Sequence, residues 1–402
     1  MEVAATKTGT VDPAPHEEEA GDGADQTVLH CRFGSFVLTS DTPFARPYKK
    51  TLDDVIASLD QDPRVVDSEP PNPFEEDWCQ SGTIYPSPSS GFELVSGADR
   101  LYSLRFNRPL RISVEVPEKN QRRIVEGDAL PTRYEALWHG ELALVTWRAN
   151  GMGRAPMSGG HVVADVLSDA LKGLGLRLYV QGCHPGCSYQ FAHTTLRVRP
   201  DPSNQSVRYR PEHWYSHVAA NVGPAPDDVL AQYLFTDIRT TAEDFTEMKN
   251  LGRRILESET DGRDSLDSLM KINYQRAEIP TLGPIDRQIA RWHLRGWRKK
   301  SRRLIARVWL TLSNLEALQR RWQNTLFQFE EQLDERGLRP LFELDYADEV
   351  AGVKSLDPGL LRSGVQEAAK QLDSRVLVTV TAIAGVAGGL AGALVGAISK
   401  LF

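Results

Sequence analysis

Residues 140–182 read GELALVTWRANGMGRAPMSGGHVVADVLSDALKGLGLRLYVQG. The opening GELALVTWRA is apolar and β-branched over the length of a strand, which predicts a buried strand. A glycine-rich loop leads into HVVADVLSDALKGLG. There Val162, Val163, Val166, Leu167, Ala170, Leu171 and Leu174 fall on one helical face, and Gly175 stands where a C-cap belongs. LRLYVQG then reads as another strand. Strand, loop, helix, strand is the outline of a βαβ unit, and a split arrangement within an antiparallel α+β sheet fits equally well.

Upstream, VLHCRFGSFVLT is a candidate strand, TLDDVIASLD a short helix, and SEPPNPFEEDWCQSGTIYPSPSSG a proline-rich loop. In LYSLRFN, Tyr102, Leu104 and Phe106 alternate with Ser103, Arg105 and Asn107. RISVEV repeats the alternation through Ile112, Val114 and Val116, and with Pro109 between them the two segments predict a hairpin. These elements make a mixed α/β domain over 27–200. Residues 1–26 hold scarcely any large apolar side chain and predict a disordered acidic tail.

Over 201–375 the pattern turns helical. Asp227 or Asp228 caps a helix to about Glu257, DSLDSLMKINYQR makes a second, and Pro284 opens a long third that ends near Gly337. Along that third helix Ile305, Val308, Leu312, Leu315, Gln319, Trp322, Leu326, Phe329 and Leu333 recur at spacings of three and four, a coiled-coil seam with one polar interruption. Pro358 starts a fourth helix through Leu361, Val365, Ala368 and Leu372. An antiparallel hairpin or self-association through the seam would satisfy this pattern.

The formal charge of −7 over 402 residues argues against a general nucleic-acid binder. Four cysteines are too few for a disulfide scaffold in a chain of this length, and no apolar signal segment opens it, so a reducing cytoplasmic setting is expected. No motif calls for a cofactor.

The chain closes on RVLVTVTAIAGVAGGLAGALVGAISKLF, Arg375 to Phe402, in which residues 376–398 carry no ionisable group. At about 1.5 Å per residue that run spans roughly the 30 Å of a bilayer core, which predicts one C-terminal transmembrane helix. Gly385, Gly388, Gly389, Gly392 and Gly396 cluster on one side with Thr381, and Ile383, Leu390, Leu394 and Ile398 lie opposite. GxxxG spacing of this kind suits close helix association. The expected fold class is therefore α+β, followed by a helical coiled-coil region and one transmembrane helix. A single-pass topology would leave the bulk of the chain cytoplasmic.

Other stretches carry candidate chemistry. RQIARWHLRGWRKKSRRLIAR presents Arg295, Arg298, Lys299, Lys300, Arg302, Arg303 and Arg307 with Trp292 and Trp297 interleaved; a solvated helix face, a lipid-headgroup patch or, as the least favoured reading, a nucleic-acid contact accounts for it. GMGRAPMSGGH precedes a helix and offers Gly151, Gly153, Arg154, Ser158, Gly159 and Gly160 as a loop for a small anion, without matching a nucleotide-binding pattern. Cys183 and Cys187 in CHPGC lack the second pair that a structural zinc site needs, and read as a turn. His139, His161, His184 and His193 have no diagnostic spacing, and no nucleophile–base–acid set stands out.

Soluble domain, coiled-coil stalk and terminal glycine-rich span together resemble membrane effectors of bacterial conflict systems. The outline also resembles CorA-type channels, but the second span and the Gly-Met-Asn signature are missing. The first resemblance implies a non-enzymatic, tail-anchored effector that oligomerises through coiled coil and glycine face and permeabilises a membrane on a cytoplasmic signal. Membrane lipids, further copies of the chain and a protein or small-molecule activator are the partners expected, and nucleic acid is not. A membrane-tethered enzyme or ligand-binding receptor using residues 151–193, or a membrane scaffold, is the alternative.

Overall fold

A computed structural model of the protein describes residues 27–84, 101–121, 131–150, 159–180, 194–203, 206–212, 217–293 and 296–370. Eleven strands and seven α-helices are found among them. The organising element is β1 (Thr27–Ser40), whose first half pairs antiparallel with β7 (Leu142–Asn150) and β9 (Thr195–Pro200). From Phe36 onward it pairs with β8 (Arg177–Val180), and at Thr39 and Ser40 with β4 (Leu101–Arg105). Outward from β7 lie β6 (Arg133–Trp138), β5 (Leu110–Glu115) and β2 (Val65–Glu69). Beyond β9 lie β11 (His217–Val222), which runs parallel to it, and β10 (Arg208–Pro211). The remaining strand, β3 (Gln80–Ile84), pairs with β4.

Strand β1 works because its two faces alternate. Leu29, Cys31 and Phe33 enter one hydrophobic core, and Phe36 and Leu38 enter the other. The second core is closed by α1 (Tyr48–Asp60) and α2 (Gly159–Lys172), with Val162, Val163, Val166, Leu167, Ala170 and Leu171 buried as their spacing predicts. Leu174 falls past the helix end and is exposed, and Gly175 takes a φ of 70° there. β7 and β8 both pair with β1 and not with each other, so the split arrangement is the one adopted. The hairpin expected from residues 102–116 does not form. β4 joins the far half of β1, while β5 sits between β2 and β6.

The first core is closed by helices. α3 (Asp227–Glu278) is one helix where two were expected, with Glu259, Gly262 and Ser265 buried through the intended break. A turn leads to α4 (Pro284–His293), and Gly296, at φ 80°, separates it from α5 (Trp297–Glu335). α6 (Arg339–Lys354), absent from the sequence expectation, and α7 (Pro358–Lys370) complete the set. The pairs Arg276–Trp297, Asp261–Arg307, Glu247–Arg321 and Thr241–Gln332 step along an antiparallel hairpin of α3 and α5. The seam is buried within the chain, and Leu318 takes the place expected of Gln319. At Gly262 an added Cβ would sit 3.0 Å from Leu361 Cδ1, so the missing side chain is what lets α7 approach α3.

The expected fold class needs correction. The described residues form an 11-stranded mixed sheet with helices on both faces, one of them 52 residues long. No helix among the described residues is long and apolar enough to cross a membrane. The tail-anchored, pore-forming and single-pass membrane expectations therefore receive no support. The run 376–398 on which they rested, with Thr381, Gly385, Gly388, Gly389, Gly392 and Gly396, lies outside the described residues.

Candidate anion-binding site

Even-numbered residues of β1 change character along the strand. Phe36 and Leu38 are apolar, but His30 and Arg32 on the same face are polar and buried, at 0% and 3% exposure. Register brings further polar side chains beside them. His30 lies opposite Arg197 of β9 on one side and Trp147 of β7 on the other, and Thr195 of β9 lies opposite His217 of β11. Arg197, Thr195 and His217 are buried as well. The imidazole of His30 stacks on Trp147, with 6.0 Å between ring centroids and 13° between planes.

Hydrogen bonds and ion pairs tie these side chains to their neighbours. Arg32 Nη2 donates to the neutral hydroxyl of Thr195 at 2.6 Å. Glu212 serves two guanidiniums, Arg197 at 3.3 Å and Arg199 at 2.7 Å. The helix that covers this face brings Asp165, one turn after the buried His161. The segments joined to these strands, residues 151–158, 181–193 and 213–216, contain no Asp or Glu. Arg199 is more than half exposed and Arg197 is buried two residues before it, so cations lead from the surface inward along β9.

Burial, followed by the positive charge of Arg197 and the proximity of His217, holds the His30 pKa down to about 4. His30 is therefore a neutral imidazole at pH 7. Neither of its ring nitrogens has a hydrogen-bond partner among the described residues, and the same is true of the buried Trp147 Nε1. Buried polar atoms left unpaired cost about 1–3 kcal/mol each, so a cluster of three beside buried arginines calls for an explanation. A phosphate group would supply acceptors to the imidazole and indole N–H groups together, and its negative charge would lie beside two buried guanidiniums.

Two other polar regions are internally satisfied. A groove of about 640 Å³ between the sheet and the first turns of α3 contains Arg111, but Glu69, Glu135 and Asp228 surround that guanidinium. Behind it, His139 Nδ1 accepts from the backbone N–H groups of Glu141 and Leu142. Its proton therefore sits on Nε2 and is donated to Glu243 Oε1 at 3.2 Å. Burial lowers the His139 pKa. Burial also opposes ionisation of Glu243, but the bond from His139 and the charge of Arg105 outweigh it and keep that carboxylate low. His139 is a structural tie between the β6–β7 turn and α3.

Of the residues singled out in the sequence, Gly159 and Gly160 open α2. Gly151, Gly153, Arg154, Ser158, Cys183, Cys187, His184, His193 and Arg295 lie outside the described residues. Arg298, Lys299, Lys300, Arg302, Arg303 and Arg307 are exposed along the first turns of α5, far along α3 from the sheet. No group of three or more potential metal ligands occurs among the described residues. His30, Arg32, Thr195, Arg197 and His217 were not anticipated; the alternation of His30 with Cys31 and of Arg197 with Leu196 was their trace in the sequence.

The chain matches no protein-family model, no curated protein and no solved structure. The architectural resemblance to conflict-system effectors is thus joined by no relative.

Proposed function

We propose that the chain is a receptor for a small phosphate-bearing molecule, held on the cationic face of β1, β9 and β11. The observation that carries this is the fully buried His30, whose ring nitrogens have no hydrogen-bond partner among the described residues, set between Arg197 and the indole of Trp147 with Arg32 one pleat away. Arg199 provides the exposed end of the path. The opposite face of the same strands packs on α3, where Phe33 stacks on Phe235, so an occupant that shifts the strands also loads the helices.

Calorimetric titration of the full chain with inorganic phosphate and with pyrophosphate tests this, with spermidine as the cationic control. Saturable binding of at least one anion is expected, weakened tenfold or more by Arg197→Gln, because a charged hydrogen bond at a buried site contributes about 1.5–3 kcal/mol. If the folded wild-type chain binds neither anion saturably, the proposal fails.

A further inference from the structure

The turn end of the α3–α5 hairpin differs from the rest of the surface. Over residues 284–307 the sequence places nine Arg and Lys against one Asp, in a chain whose total charge is −7. Elsewhere exposed arginines have carboxylate partners: Arg321 pairs with Glu247, Arg339 with Asp334 and Arg362 with Glu316. At the turn end, Arg298, Lys299, Lys300, Arg302 and Arg303 are all exposed, and none has an ion-pair partner among the described residues. A solvated face would ordinarily be interleaved with acids, as α3 is.

Apolar side chains are exposed at the same end. On α4, Ile285, Ile289 and Trp292 are 74%, 51% and 69% exposed, and their spacing of four and three puts them in one stripe. The last turns of α3 add Met270 and Tyr274, also exposed and four apart. α4 packs chiefly on the turn at Ile279–Thr281. Trp297, held between the guanidinium of Arg276 at 4.3 Å and that of Arg298 at 5.6 Å, fastens the start of α5 to the end of α3 beside this stripe. A short helix with an exposed Ile/Ile/Trp stripe next to uncompensated cations has the composition of an interfacial element. Its apolar side enters the headgroup boundary while Lys and Arg meet acidic lipid. Nucleic acid would account for the cations but leaves Ile285 and Ile289 unexplained.

We infer that the α4–α5 corner is a docking surface for an anionic lipid bilayer, on which the protein adsorbs without spanning it. Charge complementarity selects the occupant, and the apolar stripe distinguishes it from a polyanion. α3 is about 78 Å long at 1.5 Å per residue, so this corner and the cationic face of the sheet belong to opposite ends of that helix.

The test is co-sedimentation of the full chain with vesicles of phosphatidylcholine and phosphatidylglycerol in a two-to-one ratio, and with vesicles of phosphatidylcholine alone. The wild type should prefer the acidic vesicles. The variant Arg298→Glu, Lys299→Glu, Arg302→Glu, Arg303→Glu should lose at least tenfold in affinity for them. Ile285→Ser with Ile289→Ser keeps every charge and should still lose severalfold, while its binding to polyuridylate stays equal to the wild type. All six positions are exposed, and unchanged helical circular dichroism confirms that each variant is folded. Binding of either variant to acidic vesicles at wild-type strength overturns the inference. So does wild-type binding to polyuridylate that exceeds binding to acidic vesicles and ignores the isoleucine changes, which would assign the corner to nucleic acid.

Discussion

The two faces of β1, β9 and β11 are made from the same strands and are chemically opposite. Toward α3 they present Leu29, Cys31, Phe33, Leu196, Val198, Val218, Ala220 and Val222; toward the other side they present His30, Arg32, Thr195, Arg197 and His217. Both sets are buried. The apolar face gains stability from burial, at roughly 25 cal/mol per Å². The polar face gives up part of that gain, through His30 ring nitrogens that have no hydrogen-bond partner among the described residues. A chain that keeps a costly face beside a profitable one is trading stability for something else, as binding sites do.

Breaking the apolar face should have the largest effect. Phe33 stacks on Phe235 with 6.2 Å between centroids, and Phe33→Ala should lower unfolding stability by about 3–5 kcal/mol in urea denaturation. Phosphate or pyrophosphate affinity of the folded fraction should be unchanged.

Acid probes the polar face. Above pH 6.5 His30 is neutral folded or unfolded. Between 6.5 and about 4 the unfolded chain takes up a proton that the folded chain refuses, so stability falls as pH falls, and below about 4 the loss is complete. The contribution lost is up to about 3 kcal/mol at roughly 1.4 kcal/mol per pH unit. Comparing urea midpoints at pH 7 and pH 4 for the wild type and His30→Phe isolates it, since the variant lacks that drop. An equal drop in both would mean that His30 titrates normally.

At pH 7 the same His30→Phe change sharpens the contrast from the other direction. It keeps an aromatic ring against Trp147 and removes two unpaired nitrogens, so stability should rise by about 1–2 kcal/mol while anion binding falls. The smallest effect belongs to a surface pair. Arg148→Ala removes a 2.7 Å ion pair with Asp227 that is half exposed on the arginine side, and should cost less than about 1 kcal/mol in the same assay.

How far each face could be read from the sequence follows from the same chemistry. α2 was legible because an apolar stripe at helical spacing has one meaning, and the α5 seam was legible for the same reason. Alternation in LRVRP or LHCRF fixes which residues share a face but not whether the charged face meets water or protein, and solvent was the cheaper assumption for Arg197 and His30. The β4 and β5 segments were seen as strands but wrongly paired, because partner choice depends on β1, more than sixty residues away. α3 ran through its expected break because Gly262, a poor helix former in isolation, is where α7 and α5 pack against it. The uncharged run 376–398 weighed heavily in the sequence, and no described helix bears out the transmembrane expectation drawn from it.

The position of β1 also sets an order on biosynthesis. Among the described strands it is the earliest in sequence and a central one in the sheet, yet β7, β8 and β9, which flank it, are encoded by residues 142–200. At about 5–20 residues per second, its edges wait roughly 5 to 30 seconds on the ribosome before their partners emerge. An apolar strand with open hydrogen-bonding edges is a template for mispairing during that interval. His30 and Arg32, buried once the sheet has formed, interrupt the apolar run of that strand, and polar residues at such positions disfavour mispairing.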